Sequence, residues 1–367
     1  MRVLVTGSEG FIGKNLIVRL NEMNILYDVF NRKNSTKDLP KLIKRCNFIV
    51  HLAGENRPNN DSDYDNVNVG LTKLICDEIR KSDKNIPLIF SSSTQVNTKN
   101  LYGKSKLNAE LEIRNLEIET GNKSHIYRLP GVFGKWSKPN YNSVVATFCN
   151  NIGKDLPIQI NDPEFELKLV YIDDVIEEFI SKILGDDEYV KDPSVSPEYQ
   201  ITLGDLADQI KNFKISRDTL ITEKVGTGFV RKLYSTYLSF LSPDKFSYSI
   251  PTHGDERGMF AEMLKTKDSG QFSFFTAGPG VTRGGHYHHS KTEKFLILHG
   301  KAKFKFRHLI TNKKHEIVIS HEELRIVETM PGWVHDITNI GDKDMIVMLW
   351  ANEIFNPEKP DTFANSL

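Results

Sequence analysis

Cysteine is scarce in this chain: three residues in 367, at positions 46, 76 and 149. An odd number at such wide spacing makes neither a disulfide frame nor a paired-cysteine zinc ribbon, so free thiols in a reducing cytoplasm are expected. Charge of one sign is not in excess either. Lys plus Arg and Asp plus Glu number 48 each, a balance that gives no reason to expect nucleic acid or another polyanion as partner. Long apolar runs are missing too; the longest, such as residues 345–351, fall far short of the roughly 18 needed to cross a bilayer, so no membrane association is expected. The first residues read as a folded strand, not as a leader peptide. What remains is a globular chain, 39% hydrophobic and long enough for two domains. Nine of its eleven histidines follow residue 250, so its two parts are expected to do different chemistry.

Residues 2–6 form a Val- and Leu-rich run of the kind found in parallel strands covered on both faces. Gly7, Gly10 and Gly13 follow at three-residue intervals and lead into a helical pattern. In such a turn the first glycine permits the tight bend, the second lets a pyrophosphate approach the backbone, and the third lets helix and strand pack closely. The helix N-terminus, with its free N–H groups, then faces the phosphates. Contacts to a dinucleotide are expected from Gly7, Gly10, Phe11, Ile12 and Gly13.

A second strand, Ile25 to Phe30, ends in Asn31, Arg32 and Lys33, where a site for NAD carries an acid against the ribose 2′-hydroxyl. The cationic pair Arg32 and Lys33 suits a 2′-phosphate, so the expected cofactor is NADP(H), with Asn31 and Arg32 as expected contacts. A third strand ends in Leu52, Ala53 and Gly54, a further stretch of expected cofactor contact. Leu71, Leu74, Ile75 and Ile79 lie at helical spacing and read as core. A fourth strand delivers Ser91, Ser92, Ser93 and Thr94. Tyr102 and Lys106 then stand four apart on a helix, which puts both on one face. An ammonium beside a phenol favours phenolate and makes a proton donor that works near neutrality.

The glycine turn, the serine run and Tyr102-x-x-x-Lys106 together resemble the extended short-chain dehydrogenase/reductase family of nucleotide-sugar epimerases, dehydratases and reductases, over about the first 240 residues. Residues 128–134 and 169–175 are similar to later strand ends of that family. The resemblance implies a Rossmann-type doubly wound parallel sheet, with Tyr102 and Lys106 both catalytic and in contact with the cofactor. It also implies a hydroxyl that holds the substrate carbonyl. The link from serine run to tyrosine is shorter than the family's, so the hydroxyl is one of Ser91 to Thr94, and Ser93 is taken by its place in the run. The polar, aromatic loop at 135–143 suits a sugar nucleotide. Val175, Ile176, Phe179, Ile180 and Ile183 read as a core-facing helix, and Thr202 to Asp205 as a helix cap. From Lys214 to Pro251 no periodicity stands out, and Tyr234, Tyr237 and Phe240 read as either core or interface.

After a junction placed at 245/246, short β-rich runs separated by glycine and charge predict an all-β domain. His286 and His288 are two apart and share a strand face. With Glu293 and His335 they make a three-histidine, one-carboxylate set suited to a borderline divalent ion such as zinc. Their spacing resembles both motifs of the cupin family, a double-stranded β-helix, over about residues 250–360. Asp255 to Glu262 and Arg283 to Tyr287 are also similar to cupin-fold 3,5-epimerases of 4-keto deoxysugar nucleotides. There the histidine matching His286 is a general base without metal. A ligated His286 has no lone pair left for that task, so the metal reading leaves the base open among Tyr287, His289 and Lys294.

The whole chain resembles bifunctional capsular-polysaccharide enzymes that join a reductase, here residues 1–245, to a cupin, here 246–367. That resemblance implies two steps on one UDP-2-acetamido-2,6-dideoxy-4-ketohexose, a C3 inversion in the cupin and an NADPH-dependent C4 reduction. The implied product is UDP-2-acetamido-2,6-dideoxy-L-talose, on a route to UDP-N-acetyl-L-fucosamine. A cofactor-retaining epimerase or dehydratase is the enzymatic alternative, and a non-catalytic cofactor sensor the other. Cupin edges and the aromatic run from Tyr234 to Phe240 point to a homodimer.

Overall fold

The computed structural model of the chain describes residues 1–58, 60–82, 84–185, 189–250, 252–255, 258–261, 264–266, 270–353 and 358–367. They form two compact units: residues 1–132 with 167–200, and residues 133–166 with 201–367. The junction expected at 245/246 lies inside the second unit, where a helical stretch gives way to strands. No helix among the described residues is long and apolar enough to cross a membrane. The three cysteines are free and buried.

In the first unit strands and helices alternate: β1 (Arg2–Thr6), α1 (Phe11–Glu22), β2 (Leu26–Phe30), α2 (Leu39–Arg45) and β3 (Phe48–His51). α3 (Leu71–Lys81), β4 (Leu88–Ser93), α4 (Leu101–Thr120) and β5 (Ser124–Leu129) continue the pattern. The five strands are parallel in the order β2-β1-β3-β4-β5, the Rossmann-type sheet expected. Val3, Leu4, Val5, Ile49, Val50, Leu88 and Ile89 are wholly buried, because helices cover both faces. Strand order reverses between β1 and β3, which opens a crevice at their carboxyl ends.

On α3, Ile75 and Ile79 are core as expected, but Leu74 is 42% exposed. The buried face is drawn by Thr72, Ile75, Cys76 and Ile79, and Leu74 lies beyond its edge. Next come β6 (Gly131–Phe133), α5 (Val144–Gly153), β7 (Glu166–Tyr171) and α6 (Ile172–Leu184). The five apolar residues read on α6 are all buried.

In the second unit α5 packs with α7 (Leu203–Thr219) and α8 (Gly228–Ser239). α7 follows β8 (Tyr199–Thr202), where the Thr202 hydroxyl accepts from the Asp205 N–H at 3.1 Å as the expected cap. Much of the stretch without visible periodicity is therefore helical. Tyr234 and Tyr237 are buried against Phe213, with ring centres 5.0 and 6.0 Å away. They belong to this unit's core, which removes the aromatic run as an argument for a dimer interface.

The rest is β-structure: β9 (Ile221–Thr222), β10 (Ser247–Ser249), β11 (Thr252–Asp255), β12 (Gly258–Ala261), β13 (Lys265–Thr266), β14 (Gln271–Ala277) and β15 (Thr282–Tyr287). β16 (Glu293–His299), β17 (Lys301–His308), β18 (Lys314–Ser320), β19 (Arg325–Glu328), β20 (Trp333–Asn339), β21 (Met345–Ala351) and β22 (Phe363–Ala364) follow. Two five-stranded antiparallel sheets result, β10-β19-β16-β21-β14 and β18-β17-β20-β15-β22. Period-two burial on β17 sends Ala302, Phe304 and Phe306 inward, and Phe304 meets Phe295 of β16 at 5.5 Å. This is the cupin-like architecture expected. Of the motif from Asp255 to Glu262, residues 256, 257 and 262 lie outside the described residues.

Candidate active site and candidate metal centre

The glycine turn occupies the crevice. Gly7 has φ +68°, and a Cβ there would meet the Ala53 nitrogen at 2.6 Å, so this turn accepts only glycine. At Gly13 a Cβ would lie 2.2 Å from the Gly7 carbonyl, which is the close helix–strand packing expected. At Gly10 the one near atom is the Gly7 oxygen, at 3.1 Å, and the backbone is otherwise approachable. Among the described residues no side chain caps α1, so the N–H groups of its first turn are open to an anion. These residues fit a dinucleotide.

Strand ends around the turn are fixed by buried His51. The Thr6 hydroxyl accepts from the Leu52 and Ala53 N–H groups at 3.2 and 3.1 Å and lies 2.7 Å from His51 Nδ1. His51 Nε2 lies 2.9 Å from the Thr72 hydroxyl, which donates to the Asn68 carbonyl at 2.6 Å. Thr6 therefore donates to Nδ1 and Nε2–H donates to Thr72. Burial, then the Lys106 charge, pushes His51 down to about 3, so the ring is neutral. At the end of β2, Arg32 is 87% exposed and pairs with Glu55 at 2.8 Å, while Lys33 pairs with Glu9 at 3.2 Å. Asn31 closes the strand by accepting from the Lys33 N–H at 3.0 Å.

Lys106 is buried and donates to the Ser91 carbonyl at 2.8 Å. Burial pushes its pKa down to about 8, and Glu110 pulls it back up. Gly54 leaves room for it: a Cβ there would lie 3.1 Å from Lys106 Nζ and 3.0 Å from Asn68 Oδ1. Tyr102 is one turn earlier on α4, its ring centre 6.2 Å from that of Tyr64. The short link from the serines is closed by packing. Asn100 caps α4 by accepting from the Gly103 N–H at 2.6 Å, and a Cβ on Gly103 would lie 2.0 Å from the Gln95 carbonyl.

The four hydroxyls differ in what they touch. Ser91 donates to the His51 carbonyl at 3.5 Å, Ser92 donates to Glu110 at 2.5 Å, and Thr94 is exposed. Ser93, the last residue of β4, accepts from the Gln95 N–H at 3.2 Å and keeps its own proton to donate. The sequence reading missed Glu110, which also takes Arg128 through two nitrogens at 3.0 and 2.6 Å, although its spacing of four from Lys106 signals the shared face. It missed Asn68, which holds both backbone groups of Glu55, at 2.7 and 2.9 Å, with no local signal.

In the second unit His286, His288, Glu293 and His335 come together, with one ligand atom from each within 4.8 Å of the others. β15 pairs with β20 so that His286 opposes His335, across a bulge made by Gly284 and Gly285 at φ +103° and +73°. Glu293 Oε2 lies 3.1 Å from His288 Nε2 and 3.5 Å from His335 Nε2. Burial alone would raise the Glu293 pKa, but His288 and His335 hold it well below the carboxylate range. Burial lowers His335, and burial, His335 and His288 push His286 down to about 3, so both are neutral with lone pairs to offer. Among the described residues His335 Nε2 is buried with no hydrogen-bond partner, Glu293 being at the limit of reach. An ionised carboxylate, neutral imidazoles and an orphaned nitrogen fit a divalent ion.

Of the groups considered as base, Tyr287 and His289 pack on Phe363, with ring centres 5.5 and 5.0 Å away. Lys294 is buried in an ion pair with Glu328 and donates to the Tyr248 hydroxyl at 2.7 Å. Lys291, not considered, lies 2.9 Å from Glu293 Oε1.

Residues 3–188 match the NAD dependent epimerase/dehydratase family, and residues 253–363 match the polysaccharide biosynthesis C-terminal domain. A UDP-2-acetamido-2,6-beta-L-arabino-hexul-4-ose reductase of Pseudomonas aeruginosa is 54% identical over 368 aligned residues, which cover 100% of this chain and 99% of the relative. The crystal structure of the capsular polysaccharide assembling protein CapF from Staphylococcus aureus covers 100% of both chains at 38% identity, with a TM-score of 0.66. UDP-glucuronic acid 4-epimerase from Bacillus cereus, in complex with NAD, matches 58% of this chain and 84% of its own at 19% identity and a TM-score of 0.51, a likeness of fold alone.

Proposed function

The chain belongs to the NAD dependent epimerase/dehydratase family, as a full-length relative of CapF, and on that premise we propose that it acts twice on one 4-ketosugar nucleotide. The substrate is a UDP-2-acetamido-2,6-dideoxy-4-ketohexose in the cytoplasm. The cupin, residues 246–367, inverts C3; the reductase, residues 1–245, reduces C4 to give UDP-2-acetamido-2,6-dideoxy-L-talose, on the route to UDP-N-acetyl-L-fucosamine. The observation that carries this reading is that one chain joins a desolvated lysine beside a glycine-rich crevice to a four-ligand cluster in a β-domain.

Bound NADPH supplies the hydride for C4. Gly7, Gly10, Phe11, Ile12 and Gly13 would hold its pyrophosphate, Asn31 and Arg32 its 2′-phosphate, and Leu52, Ala53 and Gly54 its far side. Lys106 would meet the ribose and hold a positive charge near Tyr102. Tyr102 gives a proton to the C4 oxygen as that oxygen gains negative charge, and Ser93 donates a hydrogen bond that keeps it in place. The hydroxyls of Ser91 and Ser92 are committed inward, which favours Ser93 for this role.

A ketone at C4 acidifies the C3 proton. A divalent metal, zinc by its ligand chemistry, would be held by His286, His288, Glu293 and His335, and when bound supplies a Lewis acid for the carbonyl. The neutral imidazoles of His286 and His335 and the ionised Glu293 hold the ligand atoms ready. The protein as a homodimer is consistent with the sheet edges of the cupin. Tyr102→Phe and His335→Ala test the division of labour: the first is expected to stop NADPH oxidation yet keep C3 hydrogen exchange, the second the reverse on ketone already inverted. Loss of both activities in both variants, each still folded, would contradict two separate sites.

A further inference from the structure

We infer that the C-terminal segment completes the metal centre, with Asp361 as the positioning residue, so that metal binding and docking of residues 358–367 are coupled. This rests on reading the four-residue cluster as a metal site. Asp361 comes 26 positions after the last ligand in the chain, yet it gathers the loop that carries His288. Its Oδ1 accepts from the His289 N–H at 2.8 Å. Its Oδ2 accepts from the N–H groups of Ser290 at 2.7 Å and Lys291 at 2.6 Å, and from the Ser290 hydroxyl at 2.9 Å. Three successive backbone N–H groups thus converge on one carboxylate, the concave arrangement that selects an anion.

The fifth contact reaches a ligand. The Asp361 carbonyl lies 2.5 Å from His288 Nδ1. A carbonyl only accepts, so Nδ1 carries a proton, and Nε2, the atom 3.1 Å from Glu293, is the one left to offer a lone pair to an ion. Tautomer and ring orientation of His288 are therefore set by the C-terminal segment. Outer partners of this kind govern metal affinity by about 10–100-fold.

The same segment is built onto the strand that bears His286. β22 pairs with β15, with Ala364 opposite His286 and Phe363 opposite Tyr287. Asn365 donates its N–H to the Gly285 carbonyl at 2.9 Å, beside the bulge, and Arg307 donates to the Asn365 side chain at 2.6 Å. Two of the four ligands, His286 and His288, thus owe their placement partly to residues 361–365. By linkage, an ion that favours the docked segment is itself favoured by docking to the same degree.

The test uses full-length protein stripped with a chelator and titrated with zinc. In Asp361→Ala, competition against a chromophoric chelator is expected to show zinc affinity about 10–100-fold below wild type, while the metal-free melting temperatures differ far less than the zinc-loaded ones. In wild type, zinc is expected to slow amide hydrogen exchange across residues 361–365. Equal zinc affinity in wild type and Asp361→Ala would overturn the inference, as would exchange in that segment that ignores zinc. Should Asp361→Ala fail to fold, the wild-type exchange measurement decides. Should His286→Ala bind zinc as wild type does, the ligand reading itself fails and this one with it.

Discussion

Lys106 donates to the backbone carbonyl of Ser91 at 2.8 Å, from a position where its charge is desolvated. Its pKa near 8 gives the reductase a built-in upper pH limit. In the proposed mechanism loss of the ammonium removes the cation that would support Tyr102, so ketone reduction is expected to decline as pH rises through about 8, measured at saturating cofactor. Stability moves the other way for this group. Between about 8 and the ordinary 10.5 the unfolded chain binds the proton that the folded chain has lost, so the contribution of Lys106 rises with pH there and its penalty is complete below 8. Urea midpoints of wild type against Lys106→Met check this: the wild type gains on the variant from pH 8 to pH 10.5.

Two glycines of one turn are expected to fail differently. Gly13→Ala forces a Cβ to within 2.2 Å of a backbone oxygen, which cannot swing aside, and should cost about 3 kcal/mol or more in urea unfolding. Gly10→Ala meets one atom at 3.1 Å and should fold with a near-native midpoint. Its defect appears in cofactor titration, where the methyl stands in the path of the pyrophosphate.

Glu110 is placed to hold Ser92 and Arg128 together behind the active face of β4. Glu110→Ala leaves a buried serine hydroxyl without its acceptor and should destabilise by about 1–3 kcal/mol; the half-exposed Arg128 turns to water. Glu110→Gln keeps an acceptor and is expected to recover part of that loss.

Some of these contacts could be read in the chain and others could not. The glycine turn and the histidine pair were legible because each depends on local spacing: glycines three apart between strand and helix, and His286 and His288 two apart, the first on β15 and the second just past its end. Glu110 with Ser92, Asn68 with Glu55, and Asp361 with the loop after His288 were not, since each joins segments that only the folded chain brings together. The helix that carries Tyr234 and Tyr237 went unseen for another reason. Their helix buries residues 233–238 in succession, so no polar face marks its period.

Arg32 shares its charge with Glu55 at 2.8 Å and is otherwise in solvent. Turned to a ribose phosphate instead, it would contribute a charge-assisted contact, so Arg32→Ala should lower NADPH affinity by roughly 10–100-fold and leave NADH affinity nearly unchanged. Glu55→Gln frees the guanidinium and is expected to strengthen NADPH binding. Fluorescence titration with both nucleotides reads the two variants.

The central claim, two successive reactions on adjacent carbons, is tested most directly in deuterated water with a UDP-4-keto-6-deoxy-N-acetylhexosamine and NADPH. NMR of the product is predicted to show solvent deuterium at C3 and protium at C4. Protium kept at C3, or a product whose C4 hydrogen comes from solvent, would contradict it.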